Sequence, residues 1–118
     1  MAREPSPDRP WSTQLRKGLV ELTVLAALRG VKEAYGYELL QRINALPGFE
    51  LTESTVYPML AKLSKDGLLN VRVGPSPHGP PRRYYALTAP GRKHLKHMSA
   101  EWSQLNASIQ SLLDGDAR

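Results

Sequence analysis

Apolar residues recur along this chain first at a helical period, then in alternation, then at a helical period again, and the order of these stretches predicts the fold. Between Gln14 and Arg29, nine residues, Leu15, Leu19, Val20, Leu22, Val24, Leu25, Ala26, Ala27 and Leu28, cover nearly the whole circumference of a first helix. Such a helix needs burial on two sides, one within its own domain and one against a second surface. Gly30 ends it, and after a short turn Tyr35-Gly36-Tyr37 leads into a second helix. Here Leu39, Leu40, Ile43 and Leu46 keep to one face until Pro47-Gly48 stops the helix. In a third helix, Val56, Met59, Leu60 and Leu63 fall at i, i+3, i+4 and i+7 and face a core. Thr52 is placed to cap its first turn, Glu53 suits the positive end of the helix dipole, and Gly67 offers a left-handed stop.

The outer face of that third helix carries Ser54, Thr55, Tyr57, Pro58 and Lys62, and is short, hydroxyl-rich and basic. Pro58 lies beyond the first turn, and a proline that far into a helix costs roughly 3 kcal/mol by removing a backbone donor and crowding the carbonyl one turn back. A local rule broken at an exposed position marks a functional surface.

Past Gly67 the period changes to alternation: Leu69, Val71 and Val73 make one strand, and Arg82 to Leu87 a second. The stretch Gly74-Pro-Ser-Pro-His-Gly-Pro-Pro81 is too long and proline-rich for a two-residue turn, so a stiff projecting loop with Arg82 and Arg83 at its base is expected. Two short helices joined tightly and followed by a basic hairpin make a winged helix-turn-helix. Thr88 caps a last helix, with Ala89 and Pro90 in its first turn. Leu95, Met98, Trp102, Leu105, Ile109 and Leu112 then step by three and four, the a/d seam of a coiled coil. The expected cover for this seam is a second subunit, through the same helix or through Leu15, Leu19 and Leu22 of the first. The fold class is thus mainly α with a small β-hairpin (α+β). It comprises a disordered arm over residues 1–13, a winged helix over 14–87, a dimerisation helix over 88–113 and a flexible tail over 114–118.

Composition narrows the function. The 118 residues suit one domain with a modest core, and the absence of cysteine excludes disulfides and thiolate zinc while permitting a reducing cytoplasm. No apolar run spans a bilayer, and Met1 to Pro10 lacks the apolar stretch of a signal peptide. Net charge is +5, and between Asp66 and Glu101 stand Arg72, Arg82, Arg83, Arg92, Lys93 and Lys96 with no acidic residue. A block of this kind attracts a polyanion over about a Debye length. Enzymatic readings find little: His94 and His97 sit one turn apart without a carboxylate or thiol to complete a metal site. Gly74 to Gly79 lacks the lysine and hydroxyl of a phosphate loop, and no serine sits in a nucleophile elbow. No cofactor or metal is expected.

The order of elements, with Leu25 to Leu28, Tyr35-Gly-Tyr-Glu-Leu39, Ser54-Thr-Val-Tyr-Pro-Met-Leu60, Leu63 with Asp66-Gly-Leu-Leu69, and Gly79-Pro-Pro-Arg-Arg-Tyr-Tyr-Ala-Leu-Thr88 with Gly91, resembles PadR-type transcriptional regulators. The resemblance covers roughly Leu15 to Leu113, and the single C-terminal helix is similar to the family's short subclass. It implies a dimeric repressor on double-stranded DNA with a palindromic operator, relieved by a small planar aromatic effector. The implied DNA surface is Tyr35, Ser54, Thr55, Tyr57, Pro58, Lys62, Arg82 and Arg83. The implied dimer surface is Leu15, Leu19, Leu22, Leu95, Met98, Trp102, Leu105, Ile109 and Leu112, with Trp102 also the effector contact, as in multidrug-sensing relatives. The competing expectation is a winged-helix module that binds another protein; salt-sensitive binding to duplex DNA separates the two.

Overall fold

Among the described residues fourteen apolar side chains form the core, and every helix and strand contributes at least one of them. The computed structural model describes residues 11–115. In chain order the elements are α1 (Trp11–Arg29), β1 (Ala34–Tyr35), α2 (Gly36–Asn44), α3 (Glu53–Lys65), β2 (Leu69–Ser76), β3 (Gly79–Leu87) and α4 (Ala89–Leu113). The three strands form one antiparallel sheet in the order β1-β3-β2. This is the winged helix-turn-helix expected from the pattern of apolar positions, with a long helix appended.

α1 buries Val20, Val24, Leu25 and Leu28 against the other helices, while Leu15 stays exposed. Leu39, Leu40 and Ile43 of α2 and Val56, Leu60 and Leu63 of α3 meet this face. Removing such side chains from water stabilises the fold by roughly 1.5–3 kcal/mol each. No polar or charged side chain among the described residues is buried, so apolar burial carries the core.

The start of α1 differs from expectation. Most of the anticipated N-terminal arm lies outside the described residues, as do the last three residues of the tail, but Trp11 to Thr13 are already helical. Tertiary support explains this better than propensity: Arg16 donates from Nη1 to the Gly48 carbonyl at 2.9 Å, tying the first half of α1 to the α2–α3 connection. That connection is braced again by Asn44, whose side chain donates to the Leu51 carbonyl (2.8 Å) and accepts from the Leu51 amide (2.9 Å).

Two strand features escaped the hydrophobic pattern. β1 is only two residues long, pairing Ala34 with Tyr85 and Tyr35 with Tyr84, too short for any alternation to show. The expected projecting loop is instead a tight hairpin in which β2 and β3 run on to Ser76 and Gly79, leaving Pro77 and His78 as the turn. The prolines are tolerated because the ladder is interrupted between Gly74 and Ser76, placing Pro75 in the irregularity where a missing N–H costs nothing. Tyr84 then donates its hydroxyl to the Pro75 carbonyl at 2.9 Å.

Thr88 fixes where α4 leaves the sheet. Its hydroxyl donates to the Gly67 carbonyl (2.8 Å) and accepts from the Gly91 amide (3.0 Å), while its own amide bonds the Leu68 carbonyl (3.1 Å). Gly91 is needed there, since a Cβ would be driven into the Leu68 carbonyl oxygen. Gly67 itself takes the left-handed conformation (φ 80°) expected after α3.

α4 divides into two parts. Leu95 is buried in the core and Met98 packs against it, so these two members of the anticipated intersubunit seam lie on this chain's own core. The reason is α1, whose Leu22 and Ala27 lie partly buried against the same cluster. From Trp102 onward the seam is uncovered, with Leu105 56%, Ile109 54% and Leu112 65% exposed.

Candidate nucleic-acid interface

α3 turns Val56, Leu60 and Leu63 inward, which directs Ser54, Pro58, Ala61 and Lys65 outward at i, i+4, i+7 and i+11. All four are exposed. Pro58 does not break the helix: its position is exposed, so water can serve the Ser54 carbonyl that loses its backbone donor. Lys65, absent from the sequence-based site, stands at the C-terminal end of this stripe, and the i+11 spacing from Ser54 was the available signal. Thr52 occupies the N-cap, yet its side chain makes no cap bond; its hydroxyl pairs with that of Ser54 at 2.8 Å. That part of the expected capping is not realised.

Lys62 lies to one side of the stripe, toward α1. Its ammonium is 3.3 Å from Asp66 and 3.6 Å from Glu21. The Asp66 hydrogen bond first, and the charge of Glu21 next, raise its pKa and keep it cationic.

On the other flank, Tyr57 closes over the start of α2. A Cβ on Gly36 would come within 2.7 Å of Tyr57 Cε1, so glycine at this position is what lets the ring seat. Burial chiefly, and then the charge of Glu53, raise the Tyr57 phenol above its ordinary pKa, leaving it a hydrogen-bond donor throughout the physiological range. Tyr57 and Ala61 form one wall of a groove of about 530 Å³ whose other walls are Tyr35, Tyr37, Tyr85, Arg82 and Arg83. Four of the expected DNA contacts, Tyr35, Tyr57, Arg82 and Arg83, thus come together between α3 and the wing. Tyr37 and Tyr85 were not anticipated there; only folding brings them in.

The cations are not equally free. The Arg82 guanidinium lies 4.0 Å over the Tyr35 ring, which meets Tyr84 edge-on at 5.9 Å, and Arg72 lies 4.5 Å over Tyr84. Arg72 also makes a two-pronged ion pair with Glu33, Nε to Oε2 at 2.8 Å and Nη2 to Oε1. Those hydrogen bonds lower the Glu33 pKa and raise that of Arg72. Hence Arg72, counted in the basic block, is neutralised by a residue 39 positions away in sequence, whereas Arg83 is exposed.

Of the expected dimer surface, Leu15, Trp102, Leu105, Ile109 and Leu112 are exposed, Leu19 and Leu22 half-buried. Leu22, Ala26 and Leu95 floor a groove of about 750 Å³ between α1 and α4, rimmed by Arg29, Arg92 and Lys96. His94 does not pair with His97 but bonds Glu21 at 2.7 Å, and the described residues contain no cluster of three metal-ligating side chains. No helix among them is long and apolar enough to cross a membrane.

A three-helix core, a three-stranded wing and an exposed third helix define a winged-helix protein. Residues 24–97 match the transcriptional regulator PadR-like family, and the chain belongs to that family. Its fold is similar to that of a PadR family transcriptional regulator from Eggerthella lenta, 32% identical with a TM-score of 0.76, the match covering 86% of this chain and 87% of that one. It is likewise similar to a PadR-like transcriptional regulator from Bacillus cereus, 30% identical with a TM-score of 0.75, covering 85% and 96%. An uncharacterised protein of Lysinibacillus sphaericus is 29% identical over 86 residues, 71% of this chain and 79% of the relative.

Proposed function

We propose that this regulator is a dimeric repressor that reads a palindromic operator with α3 and is released by a planar aromatic effector. The observation that carries the DNA reading is the placement of the exposed α3 stripe beside the groove shared with Arg82 and Arg83. Ser54, Thr55, Pro58 and Lys65 face base edges in the major groove, while Arg83, Arg82, Tyr35 and Tyr57 hold phosphates on its rim. Lys62 reaches the backbone once it leaves its acidic partners. The experiment is fluorescence anisotropy of labelled duplex DNA across a salt series. Binding that weakens steeply and linearly in log–log form supports this reading; indifference to DNA favours a protein-binding module instead.

Dimerisation rests on the second half of α4, where the four seam positions Trp102, Leu105, Ile109 and Leu112 are exposed and leave large apolar side chains in water unless a second surface covers them. Pairing through this helix and Leu15 of α1 would set two recognition helices about 34 Å apart, one turn of DNA or a multiple of it. Trp102 stands two turns beyond Leu95 on the same stripe of α4, so an effector entering between subunits would stack on its indole. The Arg29, Arg92 and Lys96 rim of the neighbouring groove favours an aromatic compound with a negative charge. The place of action is the cytoplasm, with the DNA.

A further inference from the structure

One carboxylate serves two helices at once. Glu21 of α1 approaches Lys62 of α3 through Oε1 at 3.6 Å and His94 of α4 through Oε2 at 2.7 Å. The Lys62 and His94 side chains are about half exposed, and Glu21 is a quarter exposed. Lys62 has a second partner in Asp66, but Asp66 lies on the same helical segment and moves with it; only the Glu21 contact ties the recognition helix to the rest of the molecule here. The other charged groups near this junction by position are Lys17 on α1, Lys65 on α3, and Lys93 and His97 on α4. Neither α2 nor the wing places an ionic partner in it among the described residues.

We infer that Glu21 is a shared counter-ion for which Lys62 and His94 compete, so that protonation of His94 on α4 releases Lys62 of the recognition helix from Glu21 and leaves only its same-segment partner Asp66 to be exchanged for a DNA phosphate. This rests on the DNA reading proposed above. With a neutral imidazole, Nε2–H donates to a carboxylate whose full charge still holds Lys62. With an imidazolium, the carboxylate is satisfied at the shorter contact, and Lys62 meets a cation beside its partner. Both changes push the ammonium outward. Histidine is the side chain whose ordinary charge change lies between about pH 5 and 8. By linkage, DNA that captures Lys62 favours the protonated imidazole, and binding takes up protons. The junction thereby joins the helix that contacts DNA to the helix proposed to pair the subunits.

Two measurements test it. The first compares duplex-DNA binding across salt at pH 6 and pH 8 for the intact chain and for His94→Gln, which keeps a neutral donor but cannot be charged. One added phosphate contact steepens the log–log salt slope by roughly 0.9. The expected result is a slope steeper at pH 6 by up to about that amount in the intact chain and unchanged in His94→Gln. The same pH change in both would overturn the proposal. The second needs no DNA: the His94 imidazole is titrated by NMR, with Lys62→Met made in the intact chain and in Glu21→Gln, each checked for folding by circular dichroism. If the counter-ion is shared, Lys62→Met moves the His94 midpoint upward in the intact chain and much less in Glu21→Gln. Equal movement in both backgrounds means simple repulsion and overturns the sharing. Absence of salt-sensitive DNA binding at either pH counts against the DNA reading, and the NMR comparison then decides the coupling by itself.

Discussion

The Arg82 guanidinium lies 4.0 Å above the ring of Tyr35, and this contact fastens the wing to the strand that leads into α2. Arg82 and its neighbour Arg83 are therefore not equivalent. Changing Arg83 to Ala should flatten the salt dependence of DNA binding by roughly 0.9 of slope with little effect on stability. Changing Arg82 to Ala should weaken binding and also cost about 0.5–1 kcal/mol of stability through the lost cation–π contact. Urea titrations beside binding curves separate the two, and equal stability losses would contradict the distinction.

Gly91 to Ala tests the junction of α4 with the wing. The new methyl group would meet the Leu68 carbonyl, which is backbone held by the Thr88 amide and cannot swing aside. A loss of roughly 1–3 kcal/mol is expected, as for overpacking elsewhere in protein interiors. A thermal or urea midpoint like that of the parent would show that α4 can shift.

The Glu33 pKa is lowered by Arg72, so its ion pair contributes stability that is fully present above the ordinary glutamate pKa, about 4.3, and lost as pH falls through the lowered value. Glu33→Gln should therefore flatten the acid limb of the stability profile below about pH 4.3. It should also free Arg72 to add to the positive field around the wing. An acid limb identical in parent and variant would remove the pair from the account.

Much of this architecture was legible beforehand because helical burial is periodic. Val56, Leu60 and Leu63 announced the inner face of α3, and Thr88 and Gly67 marked turns where the chain indeed turns. What stayed hidden were features without a local signal. β1 is too short for alternation, and its pairing to Tyr84 and Tyr85 spans fifty residues. The ion pairs of Arg72 with Glu33 and of His94 with Glu21 join residues 39 and 73 positions apart, so the basic block looked freer than it is. The proline-rich wing tip misled for a different reason: a missing N–H matters only where the ladder needs one, and Pro75 sits in the irregularity. Leu95 and Met98 matched a heptad seam, but the same spacing serves a helix packed on its own core.

The exposed half of α4 gives a test of assembly. Leu105→Asp would place a charge in the proposed seam and should convert a dimer to a monomer in sedimentation velocity, at micromolar concentration, without lowering helix content much. If Trp102 also contacts effector, planar aromatic anions should quench indole fluorescence in the intact chain, and Trp102→Ala, which retains only Trp11, should abolish that quenching. A parent chain that is itself monomeric at these concentrations would contradict both expectations.

The central claim is that paired copies of α3 read DNA sequence, and selection of bound duplexes from a random pool tests it most directly. The expected result is enrichment of an inverted repeat whose half-sites are centred about 10 base pairs, or a multiple, apart. Changing Thr55 or Lys65 should alter the bases selected, while changing Arg83 should lower affinity and leave the motif unchanged. Recovery of no motif, or of the same motif from the Thr55 and Lys65 variants as from the parent, would contradict the assignment of α3 as the reading helix.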